Sequence, residues 1–321
     1  MTAETSRRPR VRMSPAATGL AVAGGALIPV QARVNGELSG RLQDGLGAAA
    51  LSFVVGLLIL SVLTIVSARL RWSFRQLVSA IRSGQLPSWY LVAGAFGASL
   101  ALAQSTTALV IGVAVFTVAA IAGQTLSGLV VDAVGFGGGV RQRPDLQRSV
   151  GAALVLVAAV IAVVPELGGV PDPARAMLPA LAPLVAGFLL GFQQAMNGAA
   201  GRAAGSPIVA TLVSFLVGAI VLSLAWAVRT LITGEGPAPL PGEWWLYLGG
   251  LLGVVFIALS AVLVERIGLL LLAMSSIAGQ LVGSLAVDLV VPTAGGGLSP
   301  WSVVGAVLTL LAILIAARRR L

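Results

Sequence analysis

The chain has 321 residues, 58% of them hydrophobic and 10% charged, with a net charge of +9 and a mean hydropathy of +1.01. A water-soluble domain carries about 25% charged residues, and an apolar excess of this size cannot be hidden in one core. The composition excludes a soluble enzyme, a secreted disulfide scaffold and a nucleic-acid-binding domain, and leaves a polytopic membrane protein.

Apolar runs of the length needed to cross the hydrocarbon slab predict ten spans. They lie near 17–36, 47–67, 88–108, 110–132, 149–165, 179–199, 208–230, 245–264, 267–290 and 301–317. The first follows Arg7, Arg8, Arg10 and Arg12 and contains Gln31, Arg33 and Asn35, so it reads as an uncleaved span rather than a signal peptide. Pro29 is expected to kink it. The longer polar stretches, 68–87, 133–148, 166–178 and 231–243, are too short to hold a soluble domain. Tight turns are expected at Leu109-Val110 and at Glu265-Arg266.

All 20 basic residues are Arg. With the N-terminus inside, sixteen fall on cytoplasmic segments, and only Arg33, Arg41, Arg175 and Arg229 fall outside. That asymmetry satisfies the positive-inside rule and places both termini in the cytoplasm. The basic charge therefore orients the chain and implies no nucleic-acid partner. His and Cys are absent, which removes the usual ligands for zinc, haem and iron–sulfur clusters and the common nucleophile–base pairs.

The chain repeats itself. Gln31-Ala-Arg-Val-Asn35-Gly36 returns as Gln193-Gln-Ala-Met-Asn197-Gly198, and Ser52-Phe53-Val-Val-Gly56 as Ser214-Phe215-Leu-Val-Gly218, both at an offset of 162. Ile121-Ala-Gly123-Gln124 returns unchanged as Ile277-Ala-Gly279-Gln280, at an offset of 156 that also matches Asp132 to Asp288, Gly94 to Gly250 and Gly97 to Gly253. Each copy holds five spans, so the second must enter from the opposite face. The predicted fold is an all-α polytopic membrane protein, ten transmembrane helices arranged as two inverted five-helix repeats. Such repeats characterise secondary transporters that work by alternating access. The expected organisation is a cytoplasmic tail 1–16, a first repeat 17–165, an outer linker 166–178, a second repeat 179–317 and a cytoplasmic tail 318–321.

Two inverted five-span halves, with Q-x-x-x-N-G in the first span, S-F-x-x-G in the second and G-Q with a trailing Asp in the fourth, resemble the drug/metabolite transporter superfamily. The particular motifs resemble its YdcZ-like branch, in a fused two-repeat form. The resemblance implies export or exchange of a small organic molecule across a bacterial cytoplasmic (inner) membrane, without a bound cofactor. A homodimer is left open.

The candidate site is read from polar groups within the spans. Gln124 and Gln280 lie near mid-span, where an amide either faces a water-filled cavity that takes substrate or bonds to a neighbouring helix. Gln31 with Asn35 and Gln193 with Asn197 are i, i+4 pairs at opposite ends of matched spans, placed either as gates or as helix–helix contacts. Gly123 and Gly279 beside the glutamines leave room for a ligand or for a close backbone. Small residues four apart, Ala93/Gly97, Gly249/Gly253, Gly123/Ser127 and Gly279/Gly283, point to close helix packing. Arg33 and Glu37 form an i, i+4 pair without a charged counterpart in the other repeat. They read first as a solvated ion pair at the membrane edge, and Glu37 is the nearest candidate for proton coupling.

Two other functions compete with transport. An intramembrane aspartyl enzyme would need Asp132 and Asp288 side by side, and inversion places them about 30 Å apart. A lipid-handling flippase or a non-transporting membrane scaffold is the remaining alternative. No nucleotide-binding loop accompanies the spans, so drive by ATP within this chain is not expected.

Overall fold

The computed structural model describes residues 15–138, 146–167, 173–236, 238–267, 269–292 and 299–317. Expectations that rest on the two tails or on the middle of the outer linker lie outside these residues. The described residues form helices joined by short turns, with no strand among them.

Among the described residues eleven α-helices follow in order: α1 (Pro15–Leu42), α2 (Gly45–Val66), α3 (Ala68–Arg82), α4 (Ala93–Ile111), α5 (Val113–Val134), α6 (Leu146–Leu167), α7 (Pro173–Ala204), α8 (Pro207–Thr233), α9 (Gly249–Ile267), α10 (Leu269–Val290) and α11 (Pro300–Ala317). Short 3-10 turns, Ser88–Val92 and Trp244–Tyr247, lead into α4 and α9. Among the described residues, six helical stretches are long and apolar enough to cross a membrane: Pro15–Leu42, Gly45–Val66, Ser88–Ile111, Val113–Val134, Pro207–Thr233 and Leu272–Val290. Shorter apolar stretches occupy α6, α9 and α11.

Helix ends follow local chemistry. Asp44, in an extended conformation, caps α2 by accepting from the backbone N–H groups of Leu46 (3.1 Å) and Gly47 (3.0 Å). Gly112 separates α4 from α5 with φ +82°, a value that glycine adopts without strain. This moves the α4–α5 turn from the expected Leu109-Val110 to Gly112, because α4 stays helical through Ile111. Glu265 and Arg266 lie in the last turn of α9 rather than between helices. Pro29 does not interrupt α1, and its ring lies against Gly283 of α10, where the missing side chain makes room. α1 also outruns the predicted span by six residues, to Leu42, through a polar extension.

One helix was not anticipated. The stretch 68–87, read as a polar loop, contains α3. Its Ser73, Leu77 and Ala80 are buried, and Leu77 and Ala80 share a cluster with Ala200 and Ala204 of α7. Arg69, Arg71 and Arg75 face outward together with Trp72 and Phe74. A polar face lined with Arg and flanked by aromatics is the pattern of a helix lying along a membrane surface.

α2 and α8 pack antiparallel along their whole length. Gly47 meets Trp226 near one end, the rings of Phe53 and Phe215 stack at 4.8 Å in the middle, and Leu60 and Leu63 share a small pocket with Ile208 and Thr211 near the other. A side chain at Gly56 would run into the Phe215 ring, and one at Gly218 into Phe53.

The same reciprocity runs through the molecule. A Cβ on Gly123 of α5 would overlap the Leu184 carbonyl of α7, and one on Gly279 of α10 would overlap the Val22 carbonyl of α1. A Cβ on Gly25 of α1 would strike the Ser276 carbonyl, and one on Gly187 of α7 the Ala120 carbonyl. Every residue in these contacts has its partner at the sequence offset of 162 or 156. Absent side chains let the backbones approach closely, which is how helices associate where lipid offers no hydrophobic drive. Beside Gly123 and Gly279 the space goes to a neighbouring backbone.

Candidate functional site

α1 and α7 carry the paired amides. One turn of helix puts Gln31 and Asn35 on one face of α1, and Gln193 and Asn197 on one face of α7. The Gln31 amide covers Gly253 of α9, its Nε2 3.1 Å from where a Cβ would stand. The Gln193 amide covers Gly97 of α4 in the same way, with Oε1 at 2.9 Å. Each repeat thus places its first-helix glutamine on the third-span glycine of the other repeat.

The two asparagines differ. Asn197 Oδ1 accepts from Ser214 Oγ at 2.6 Å. Asn35 is fully buried, and its Nδ2 donates to Gln104 Oε1 at 2.8 Å. Asn35 Oδ1, pressed against Gly249, has no hydrogen-bond partner among the described residues. Gln104 is itself buried, on α4, and sequence reading missed it because its repeat position is Ser260. The only available signal was a lone amide within an apolar run.

Gln124 is half-buried on α5 and Gln280 is buried on α10. Ile121, Ala122 and Leu281, their near neighbours in sequence, share one apolar cluster. Among the described residues neither side-chain amide makes a hydrogen bond; the Gln124 backbone carbonyl also accepts from Ser127 Oγ at 3.0 Å. A small apolar cavity of about 20 Å3, room for one water, is lined by Leu60, Leu63, Ile208, Thr211, Val254, Ile257 and Ala258. None of the expected site residues borders it.

Arg33 and Glu37 belong to a longer ladder. Arg33 Nη2 lies 3.3 Å from Glu37 Oε2, Arg41 Nε 3.5 Å from Glu37 Oε1, and Arg41 Nη1 3.5 Å from Glu243 Oε1. The Glu37 carboxylate therefore sits between two guanidinium groups, partly open to solvent. Sequence spacing found the first pair; the link to Glu243 needed the fold.

Asp288 is buried and accepts from the backbone N–H groups of Val113 (3.0 Å) and Ala114 (2.7 Å), capping α5. Asp132 lies near the other end of that same helix. Eighteen residues at 1.5 Å rise separate Ala114 from Asp132, roughly 27 Å, so the two aspartates cannot share a proton. The same contact sets the last turn of α10 against the first turn of α5: these repeat-matched helices meet head to tail.

Asp44 is a second buried carboxylate, and sequence reading passed it over. Besides capping α2 it accepts from Trp226 Nε1 at 2.8 Å and pairs with Arg229 Nη1 at 2.6 Å, with only 2% of its side chain exposed. This joins the α1–α2 turn to the end of α8.

Apolar helices packed through glycines, with amides held inside the bundle, define a polytopic membrane protein. The family model described as "Putative inner membrane exporter, YdcZ" matches residues 16–161 and 178–315. The chain belongs to this family, in a form that carries the family unit twice. No curated protein and no solved structure matches the chain.

Proposed function

We propose that the protein is a secondary transporter of the drug/metabolite type, exporting or exchanging a small polar organic molecule across the cytoplasmic membrane by alternating access. In this reading α1, α2 and α4 to α11 are the ten spans, in two inverted repeats of residues 17–165 and 179–317, and α3 lies on the cytoplasmic surface. Both termini are cytoplasmic. The observation that carries the reading is the exchange of contacts between repeats: Gln31 on Gly253 against Gln193 on Gly97, and Gly123 on α7 against Gly279 on α1. Two equivalent half-sites give a chain two gates of similar build, as alternating access requires. The head-to-tail meeting of α5 and α10 supports the inversion.

Gln124 and Gln280 are the proposed substrate contacts, each amide offering both donor and acceptor. The pairs Gln31/Asn35 and Gln193/Asn197 flank them as gates, and the Asn35–Gln104 bond makes the first gate the tighter one. Glu37 and Arg33 are assigned to anchoring α1, with coupling as their alternative.

The test is a thermal-stability screen of the purified protein against small polar metabolites. A true substrate raises apparent stability by RT ln(1 + [L]/Kd). Gln124→Leu and Gln280→Leu should each abolish the shift while changing intrinsic stability by less than about 1 kcal/mol, because no protein partner is stranded. A larger loss of stability would make the amides helix contacts instead.

A further inference from the structure

We infer that Asp44, Trp226 and Arg229 form a latch that holds one end of the α2–α8 seam shut, so that the two gates are unequal. The inference rests on the alternating-access reading above. α2 belongs to the first repeat and α8 to the second, and they pack antiparallel about the Phe53–Phe215 stack. Rocking of one repeat against the other about that stack must loosen one end of the seam as it tightens the other.

The two ends are built differently. At the α1–α2 turn, Asp44 receives two backbone N–H groups, the Trp226 indole and the Arg229 guanidinium. Asp44 is buried while Arg229 stays partly exposed, and charge-assisted bonds of this kind are the strong ones. At the opposite end the repeat counterparts of Asp44, Trp226 and Arg229 are Ser206, Thr64 and Ser67, all uncharged. Ser206 makes no side-chain capping bond to α8, and Thr64 Oγ1 is buried without a partner among the described residues. The small cavity between Leu60, Leu63, Ile208 and Thr211 lies at that same end. One end is tied by charged and polar groups, and the other is held by apolar contacts around a water-sized cavity. With the orientation proposed above, the tied end faces outside, so the resting protein is biased toward opening inward.

The test uses cysteines introduced into the naturally Cys-free chain at Leu222 and Leu60, repeat counterparts that lie buried in the same cluster on either side of the Phe53–Phe215 stack. Reaction rates with a small charged methanethiosulfonate are read in the full-length protein in liposomes. Arg229→Gln and Trp226→Phe remove latch partners while leaving Asp44 in place to cap α2. In either background the Leu222→Cys rate should rise about tenfold or more, since a charge-assisted bond contributes at least that factor, and the Leu60→Cys rate should fall. An unchanged Leu222→Cys rate in both backgrounds overturns the latch, and so does a rise at both positions, which marks general loosening. If Leu60→Cys reacts while Leu222→Cys stays silent throughout, the latch fails alone. If neither reacts in any background, alternating access fails with it.

Discussion

At the residue scale the consequential group is Asn35. A side-chain carbonyl buried without a partner is costly, and such groups persist where the surrounding structure over-determines them. Here Gln104 holds the other half of the amide, and Gly249 holds the orphaned oxygen in place. Asn35→Leu would leave Gln104 Oε1 buried without its donor and should cost about 1–3 kcal/mol. Adding Gln104→Leu should recover part of that loss, because replacing both partners with apolar groups strands nothing. A double-mutant cycle by denaturant unfolding in detergent checks this: the two changes should couple by at least about 0.5 kcal/mol. Additive effects would mean that the bond does not form. Asn197 is expected to behave differently, since its Oδ1 has the Ser214 hydroxyl.

At the element scale, α1 shows what was legible and what was not. Its Gln-x-x-x-Asn pair, its repeat in α7 and the Arg33–Glu37 pair are all visible as spacing, because i, i+4 neighbours touch wherever a helix forms. Its extension to Leu42 was hidden, since Glu37, Ser39, Gly40 and Arg41 end the apolar run while ion pairs keep the helix going. α3 was hidden for the related reason that a surface helix buries only a stripe, here Ser73, Leu77 and Ala80, and leaves no apolar run. Asp44 was hidden because its pairing with Trp226 and Arg229 spans 182 residues or more of chain, beyond any local pattern. The ladder along α1 carries its own expectation. Partly solvated ion pairs contribute about 0–1 kcal/mol, so Arg33→Gln with Glu37→Gln should lower stability by no more than that and leave transport measurable. Loss of pH-dependent transport in Glu37→Gln, with normal folding, would instead assign Glu37 to coupling.

At the scale of the whole molecule, the arrangement of the repeats in the bilayer decides the rest. Ser88 and Trp244 open the 3-10 turns that lead into α4 and α9, both are exposed, and they stand at matched positions 156 residues apart. In a parallel repeat the two would lie on the same face of the membrane; in an inverted one they must lie on opposite faces. The Arg distribution predicts Ser88 inside, after Arg69, Arg71, Arg75 and Arg82, and Trp244 outside, after Arg229. Single cysteines at the two positions, probed with an impermeant maleimide in intact cells, should therefore label in opposite ways. Trp244→Cys should react from outside, and Ser88→Cys only after the membrane is opened. Labelling of both from one face would overturn the inversion, and with it the pairing of gates and the sidedness of the Asp44 latch. Labelling on opposite faces but with the sides exchanged would keep the inverted repeat and reverse only its orientation, turning the tied end of the α2–α8 seam toward the cytoplasm.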